Sequence, residues 1–145
     1  MKLHTASETL SFIRELEEKA ARFYEDLARR FPGNGEDFLS FAKDNRKYNK
    51  QVQMAYQSVI TDAIEGCYAF DLEPGNYTFD IHLPQDADLV EAVKTALAIE
   101  DKIIGCYNDG ADQSMSLLAD VPRNFKIVVR KRTSRLEKLK TLVEI

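Results

Sequence analysis

The amino-acid sequence predicts an all-α protein, a four-helix bundle with one long extended crossover between helices two and three. Four long stretches repeat apolar residues at spacings of three and four, the period of an amphipathic helix. The six glycines and four prolines are few, and most lie between those stretches. A chain of 145 residues that is 44% hydrophobic and 30% charged has the composition of one globular domain. We therefore expect a single domain over residues 1–145.

Caps and breakers set the expected helix boundaries. The segment Thr5–Glu8 is a candidate capping box at the start of helix one, and Pro32 follows its end. Helix three is expected to start after the acidic turn that ends at Asp88, and Pro122 suits the first turn of helix four. The four helices are predicted at about residues 6–30, 36–64, 87–118 and 122–144.

The crossover, at about residues 65–86, has the alternating pattern of extended chain. Its segment 73–76 places Pro and Gly where a type II turn requires them, which leaves open a small hairpin. A link of this length lets helix three start at the far end of the bundle from where helix two stops. The apolar positions that alternate are Tyr68, Phe70, Leu72, Tyr77, Phe79, Ile81 and Leu83.

A short internal repeat relates helix one to helix three. Residues 16–28 align with residues 99–111 at an offset of 83, with five identities in thirteen positions. The pattern predicts that helices one and two are a structural copy of helices three and four. The identical pairs are Glu17/Glu100, Lys19/Lys102, Tyr24/Tyr107, Asp26/Asp109 and Ala28/Ala111.

Polar side chains interrupt the apolar stripe of every helix partway along its length. The interruption is a single glutamate in helices one and three, and a pair spaced i, i+3 in helices two and four. Because the interruptions fall at matching points, we expect a central polar network where the four stripes meet. Its predicted members are Glu17, Asn45, Tyr48, Glu100, Arg132 and Arg135, supported by Tyr24 and Tyr107.

This layout resembles the rubrerythrin-like branch of the ferritin-like superfamily. The helix-one pattern Glu-x-x-Ala-x-x-(Phe/Tyr)-Tyr appears at residues 17–24, and its helix-three counterpart is Glu100 with Cys106-Tyr107. The patterns of helices two and four fit residues 38–52 and 125–139, so the resemblance covers nearly the whole chain. It implies a ferritin-like fold and a di-iron site, to which two helices give one Glu each and two give Glu-x-x-His.

The chain departs from that family pattern at the metal ligands. A guanidinium is always charged and has no lone pair for a metal, so Glu17 and Glu100 are the ligands that would remain. Two carboxylates and two guanidiniums are already neutral, and we expect an Arg–carboxylate network here and no cofactor. Tyrosine and asparagine side chains could supply the hydrogen bonds that offset burial. The missing motifs are replaced by Asn45-x-x-Tyr48 and Arg132-x-x-Arg135.

The leading hypothesis is a rubrerythrin-like protein that has lost its di-iron site and acts as a non-catalytic binding or structural protein. We expect a homodimer, through the aromatics of residues 68–83 or an exposed bundle face. One alternative is a di-iron-type oxidoreductase with an unusual site, reducing peroxide or oxidising iron, in which Glu17, Glu100, Tyr48 and a neighbouring acid hold a single iron or manganese ion. Another is a binder of a small anion at Arg132 and Arg135.

Several other classes are not supported by the sequence. The net charge of −4 argues against nucleic-acid binding, and no apolar run is long enough to span a membrane. The start of the chain has no apolar signal core, so a cytoplasmic location is expected. Cys67 and Cys106 form no Cys-x-x-Cys motif, and His4 and His82 stand alone. The sequence contains no glycine-rich phosphate loop and no nucleophile elbow.

Overall fold

The computed structural model describes residues 2–57, 68–114 and 120–144, and within these ranges the protein is all-α apart from two short strands. None of the helices in those ranges is both long enough and apolar enough to cross a membrane. The elements are β1 Leu3–Thr5, α1 Ala6–Arg30, α2 Gly35–Gln57, β2 Tyr68–Leu72, α3 Leu89–Gln113 and α4 Asp120–Leu142.

Helix α1 has the predicted bounds and the predicted capping box. The Thr5 hydroxyl accepts a hydrogen bond from the Glu8 backbone N–H at 3.1 Å, and Glu8 Oε1 accepts from the Thr5 N–H at 3.1 Å. These two bonds satisfy donors that a helix start leaves without intrahelical partners. Helix α2 starts one residue earlier than predicted, and the predicted continuation from residue 58 to 64 lies outside the described residues.

Helices α3 and α4 differ from their predicted bounds at the ends. Asp88 has extended backbone and accepts from the Glu91 N–H at 2.9 Å, so it is the N-cap and α3 cannot begin at residue 87. Ser114 caps the other end, and the predicted residues 115–118 lie outside the described ranges. Helix α4 begins two residues before the predicted start and ends at Leu142.

Contacts between the helices define the direction of each one. Gln53 Nε2 donates to the Leu10 carbonyl at 3.0 Å, and the Tyr24 ring stacks on Phe38, so α1 and α2 are antiparallel. Helix α4 is antiparallel to α3, because Lys126 bonds Asn108 while Arg132, later in α4, bonds an earlier residue of α3. The bundle therefore consists of two antiparallel hairpins.

The two hairpins pack so that α2 and α3 run parallel. Tyr24 of α1 bonds Glu100 of α3, and Glu17 bonds Tyr107, which makes α1 and α3 antiparallel. Since α2 is also antiparallel to α1, it must point the same way as α3. The chain must then return along the bundle between them, which is the path that the long crossover predicts.

The crossover does not form its own hairpin in the described residues. Strand β2 pairs antiparallel with β1, with Leu3 opposite Leu72, and residues 77–83 form no strand. The segment Pro74–Asn76 is one 3₁₀ turn with no glycine at positive φ, so the type II turn predicted there is wrong. The start of the chain supplies the ladder partner that a hairpin would have supplied.

The crossover packs on the α1 and α3 side of the bundle. Tyr77 donates to Asp109 Oδ2 at 2.5 Å, and Lys19 donates to the Phe79 carbonyl. Arg30 donates to the Pro84 carbonyl at 2.9 Å. The crossover strip, meaning the alternating apolar residues between 68 and 83, was predicted to form a dimer contact. Much of it is instead buried against the chain's own helices. Its buried members are Phe70, Leu72, Tyr77 and Leu83.

Helices α3 and α4 approach closely at a glycine. A Cβ added at Gly110 would lie 2.9 Å from the ring of Phe125, which is fully buried. Gly105, one and a half turns earlier, has its nearest such neighbour, Tyr77, at 4.0 Å. Of these two glycines of α3, Gly110 is the one that packing requires, because a side chain there would meet the ring of Phe125.

Candidate functional site

The six residues predicted for the central network come together in the middle of the bundle. Five of them are 2% exposed or less, and Tyr48 is 6% exposed. Each helix contributes at the point where its apolar stripe is interrupted, because residues spaced by three and four lie on one helical face. The five most buried are Glu17, Asn45, Glu100, Arg132 and Arg135.

Arg132 joins the two glutamates. Its Nη1 donates to Glu100 Oε2 at 2.6 Å, and its Nη2 donates to Glu17 Oε1. A planar guanidinium presents parallel donors, so one side chain from α4 can serve carboxylates from both α1 and α3. Both buried carboxylates are therefore in contact with a positive charge.

Arg135 extends the network to α2. Its Nη1 donates to Glu100 Oε1 at 2.9 Å and to Asn45 Oδ1, and its Nη2 donates to the Phe41 carbonyl at 3.1 Å. The Phe41 carbonyl is a member of the site that the sequence analysis did not predict. A backbone acceptor has no residue signature, and the second lone pair of a helical carbonyl is available at many positions.

Two tyrosines bind the glutamates in a crossed arrangement. Tyr24 of α1 donates to Glu100 Oε1 of α3 at 2.7 Å, and Tyr107 of α3 donates to Glu17 Oε2 of α1 at 2.7 Å. Each tyrosine lies seven residues after the glutamate of its own helix and bonds the glutamate of the other. The internal repeat is therefore visible in the structure as a local two-fold relation between α1 and α3.

Aromatic rings surround both guanidiniums. The ring centroid of Tyr48 lies 5.3 Å from Arg132 Cζ and 5.5 Å from Arg135 Cζ, and that of Phe41 lies 4.9 Å from Arg135 Cζ. The negative face of a ring stabilises a desolvated cation. Tyr48 was predicted to supply hydrogen bonds, and its observed contribution also includes the face of its ring.

The two carboxyl groups have opposite pKa shifts. Burial raises the pKa of Glu17 to about 7, and the single contact with Arg132 only partly opposes this. Burial acts on Glu100 too, but the charges of Arg132 and Arg135 outweigh it and hold its pKa below the ordinary value. Glu100 is therefore the more firmly ionised acid, and it is the one that both arginines share.

Two donors of the network have no hydrogen-bond partner among the described residues. They are Arg132 Nε and Asn45 Nδ2, both buried. All four Nη atoms of the two arginines have acceptors. Because a buried unpaired donor is destabilising, these two positions are where the network is least complete.

The donor set at the centre does not fit a di-iron site. Both carboxylates bond guanidinium donors, and no group of three or more His, Cys, Asp or Glu residues in the described ranges could hold a metal ion. His4 lies in β1 and His82 is exposed in the crossover. Burial raises the pKa of Cys106 to about 12, so its thiol is protonated, and Cys67 lies outside the described residues.

In comparisons with known proteins, the chain matches no family model, no curated protein and no solved structure. The resemblance to the rubrerythrin-like branch therefore stays a prediction.

Proposed function

We propose that this protein is a rubrerythrin-like member of the ferritin-like superfamily in which an Arg–carboxylate network replaces the di-iron centre. We further propose that it acts as a non-catalytic binding or structural protein. The observation that carries the proposal is the position of the Arg132 guanidinium, which bonds Glu17 and Glu100 at once. Those are the two positions where the family pattern has its single glutamates.

The charge balance of the centre supports a replacement. A di-iron site of four carboxylates balances the charge of two divalent ions. Here two arginines, both with raised pKa values, face two glutamates, which also gives a neutral set when both acids are ionised. The guanidiniums supply the positive charge but accept nothing, so they cannot share the centre with a cation.

The course of the chain supports the family assignment. Two antiparallel hairpins joined by one long connection, with α2 and α3 parallel, are the arrangement of a ferritin-like bundle. The polar centre lies where the four helices of such a bundle meet.

A structural role follows from how many helices the arginines connect. Arg132 links α4 to α1 and α3, while Arg135 links α4 to α3 and, through Asn45 and Phe41, to α2. A network that is bonded in this way holds the four helices in one register. It also engages the carboxylates that general acid–base chemistry or metal binding would need.

The proposal can be tested by rebuilding the missing ligands. The variant restores both Glu-x-x-His motifs through Asn45→Glu, Tyr48→His, Arg132→Glu and Arg135→His. We expect it to bind about two Co²⁺ ions per chain, seen by visible absorption and elemental analysis, because its six ligands match the di-iron set. The unmodified protein should bind no stoichiometric Co²⁺ under the same conditions.

A matched control removes the arginines without adding ligands, through Asn45→Gln, Tyr48→Phe, Arg132→Gln and Arg135→Gln. This control should take up no stoichiometric Co²⁺. A rebuilt variant that is helical by circular dichroism but binds no more Co²⁺ than the control would contradict the equivalence of these positions with the family ligands.

The alternative functions have less support from the geometry. An oxidoreductase with iron or manganese at Glu17 and Glu100 would need Arg132 to leave both carboxylates. A small anion at the arginine pair would share the Nη atoms with the acceptors they already bond, and Arg132 Nε is the one buried arginine nitrogen of the described residues without a partner. Co²⁺ uptake by the unmodified protein would favour the first alternative.

A homodimer through an exposed bundle face is part of the proposal. With the crossover strip largely buried, the exposed large apolar residues of the described ranges are Leu39, Met54 and Val90. Small-angle scattering should give about twice the 16.6 kDa chain mass. A mass of one chain at micromolar concentration would contradict the dimer and leave the metal replacement unaffected.

A further inference from the structure

A basic groove lies between α2 and α4, on the outside of the central network. It has a volume of about 350 Å³. The hydrogen bonds that hold the crossover join it to α1 and α3, whereas this groove lies between α2 and α4. The residues that line it are Asp44, Lys47, Tyr48, Lys131, Ser134 and Lys138.

The charge of this groove departs from that of the whole chain. It has three lysines and one aspartate, while the chain has a net charge of −4. Within the described ranges, no carboxylate lies within 4 Å of the ammonium groups of these lysines. Some exposed cations have such partners, as Arg46 has in Glu18 and Glu25, and others such as Lys94 have none among the described residues, so this groove is distinguished by the three lysines that line it together.

The groove and the central network meet at Tyr48. Tyr48 is the most exposed of the six network residues, and its ring lies against both buried guanidiniums. The Lys131 ammonium lies 5.9 Å from the centroid of the same ring. The Tyr48 ring therefore lies between the buried guanidiniums and the Lys131 ammonium of the groove.

We propose that this groove binds a small phosphorylated molecule. Three ammonium groups and the hydroxyl of Ser134 suit a compact dianion, whose oxygens accept several charge-assisted hydrogen bonds. Asp44 would accept from a hydroxyl or amino group beside the phosphate and would repel a second phosphate. The inference goes beyond the proposed function, because the groove shares only Tyr48 with the central network.

The test is a titration of ¹⁵N-labelled protein with inorganic phosphate and with glycerol phosphate at constant ionic strength. Both should give saturable amide shifts confined to residues 44–48 and 131–138. Lys131→Ala with Lys138→Ala should weaken phosphate binding about tenfold or more, since it removes two charge-assisted contacts. Glycerol phosphate should bind more tightly than phosphate, and Asp44→Ala should remove that preference.

The matched control is Lys94→Ala with Lys140→Ala, which removes the same charge outside the groove. Its phosphate affinity should stay within about twofold of the unmodified protein. Equal weakening in the two variants, or shifts that increase without saturating, would overturn the proposal in favour of general charge screening. Binding to RNA or to anionic lipid vesicles with no phosphate response would overturn it in favour of a macromolecular partner. None of these outcomes depends on the metal content of the centre.

Discussion

Replacing Glu100 by glutamine should destabilise the protein far more than the same change at Glu17. Glu100 accepts from Arg132 at 2.6 Å, from Arg135 at 2.9 Å and from Tyr24 at 2.7 Å, and it is fully buried. Its loss leaves two buried guanidiniums with one carboxylate, and an amide N–H₂ would face one of their donors. Removing one partner of a buried ion pair costs about 3–5 kcal/mol, and we expect Glu100→Gln to fall in that range.

Glu17→Gln serves as the matched control. Glu17 accepts from Arg132 and from Tyr107, and after the substitution Arg132 still has Glu100 as its partner. Because the pKa of Glu17 is about 7, its carboxyl is already partly neutral at neutral pH. The expected loss is about 1 kcal/mol, the value of one hydrogen bond to a neutral group.

Equilibrium unfolding in guanidinium chloride at pH 7, followed by far-ultraviolet circular dichroism, measures both losses. The comparison requires equal denaturant slopes for the two variants, so that the midpoints report stability alone. A loss below about 0.5 kcal/mol for Glu100→Gln, or a larger loss for Glu17→Gln, would refute the assignment of Glu100 as the shared buried counter-charge.

Two further predictions concern pH and packing. The pKa of Glu17 is raised from 4.5 to about 7 in the folded state. Between those pH values the folded state holds a proton that the unfolded state has lost. The contribution of Glu17 to the free energy of unfolding therefore falls, by up to about 3 kcal/mol, as pH rises from 4.5 to 7. Unfolding free energies measured from pH 5 to 8 should show this decline, and Glu17→Gln should flatten it; a variant with the same slope would show that another group titrates. Gly110→Ala should lose about 1–3 kcal/mol by forcing a Cβ against Phe125, whereas Gly105→Ala, whose Cβ would make an ordinary van der Waals contact with Tyr77, should gain up to about 1 kcal/mol from helix propensity. Thermal unfolding distinguishes the two, and equal shifts would contradict the close approach of α3 and α4.

The polar centre could be predicted from the sequence because helical periodicity and the internal repeat both place its residues at matching points of the helices. A glutamate or arginine inside an apolar stripe must face the core if the helix forms. Its place within the stripe then gives its position along the length of the bundle. The repeat that pairs Glu17 with Glu100 also pairs Tyr24 with Tyr107. The crossed hydrogen bonds of the structure are the three-dimensional form of that repeat.

Other features depend on contacts between residues distant in the chain. The pairing of Leu3–Thr5 with β2 has no local signal, since three residues are too few for a periodic pattern and the partner lies beyond two helices. The Phe41 carbonyl is a backbone group, and its use by Arg135 depends on how α2 and α4 are aligned. The basic groove likewise brings together residues of α2 and α4. Their spacing along each helix predicts only that they are exposed, not that the two sets lie side by side.

Elemental analysis of the unmodified protein tests the central claim most directly. The protein would be expressed in medium supplemented with iron and manganese and purified without a metal-affinity tag. If the guanidiniums of Arg132 and Arg135 occupy the former metal positions, it should contain less than about a tenth of a metal ion per chain. About two ions per chain would contradict the replacement, and would require both arginines to turn away from Glu17 and Glu100.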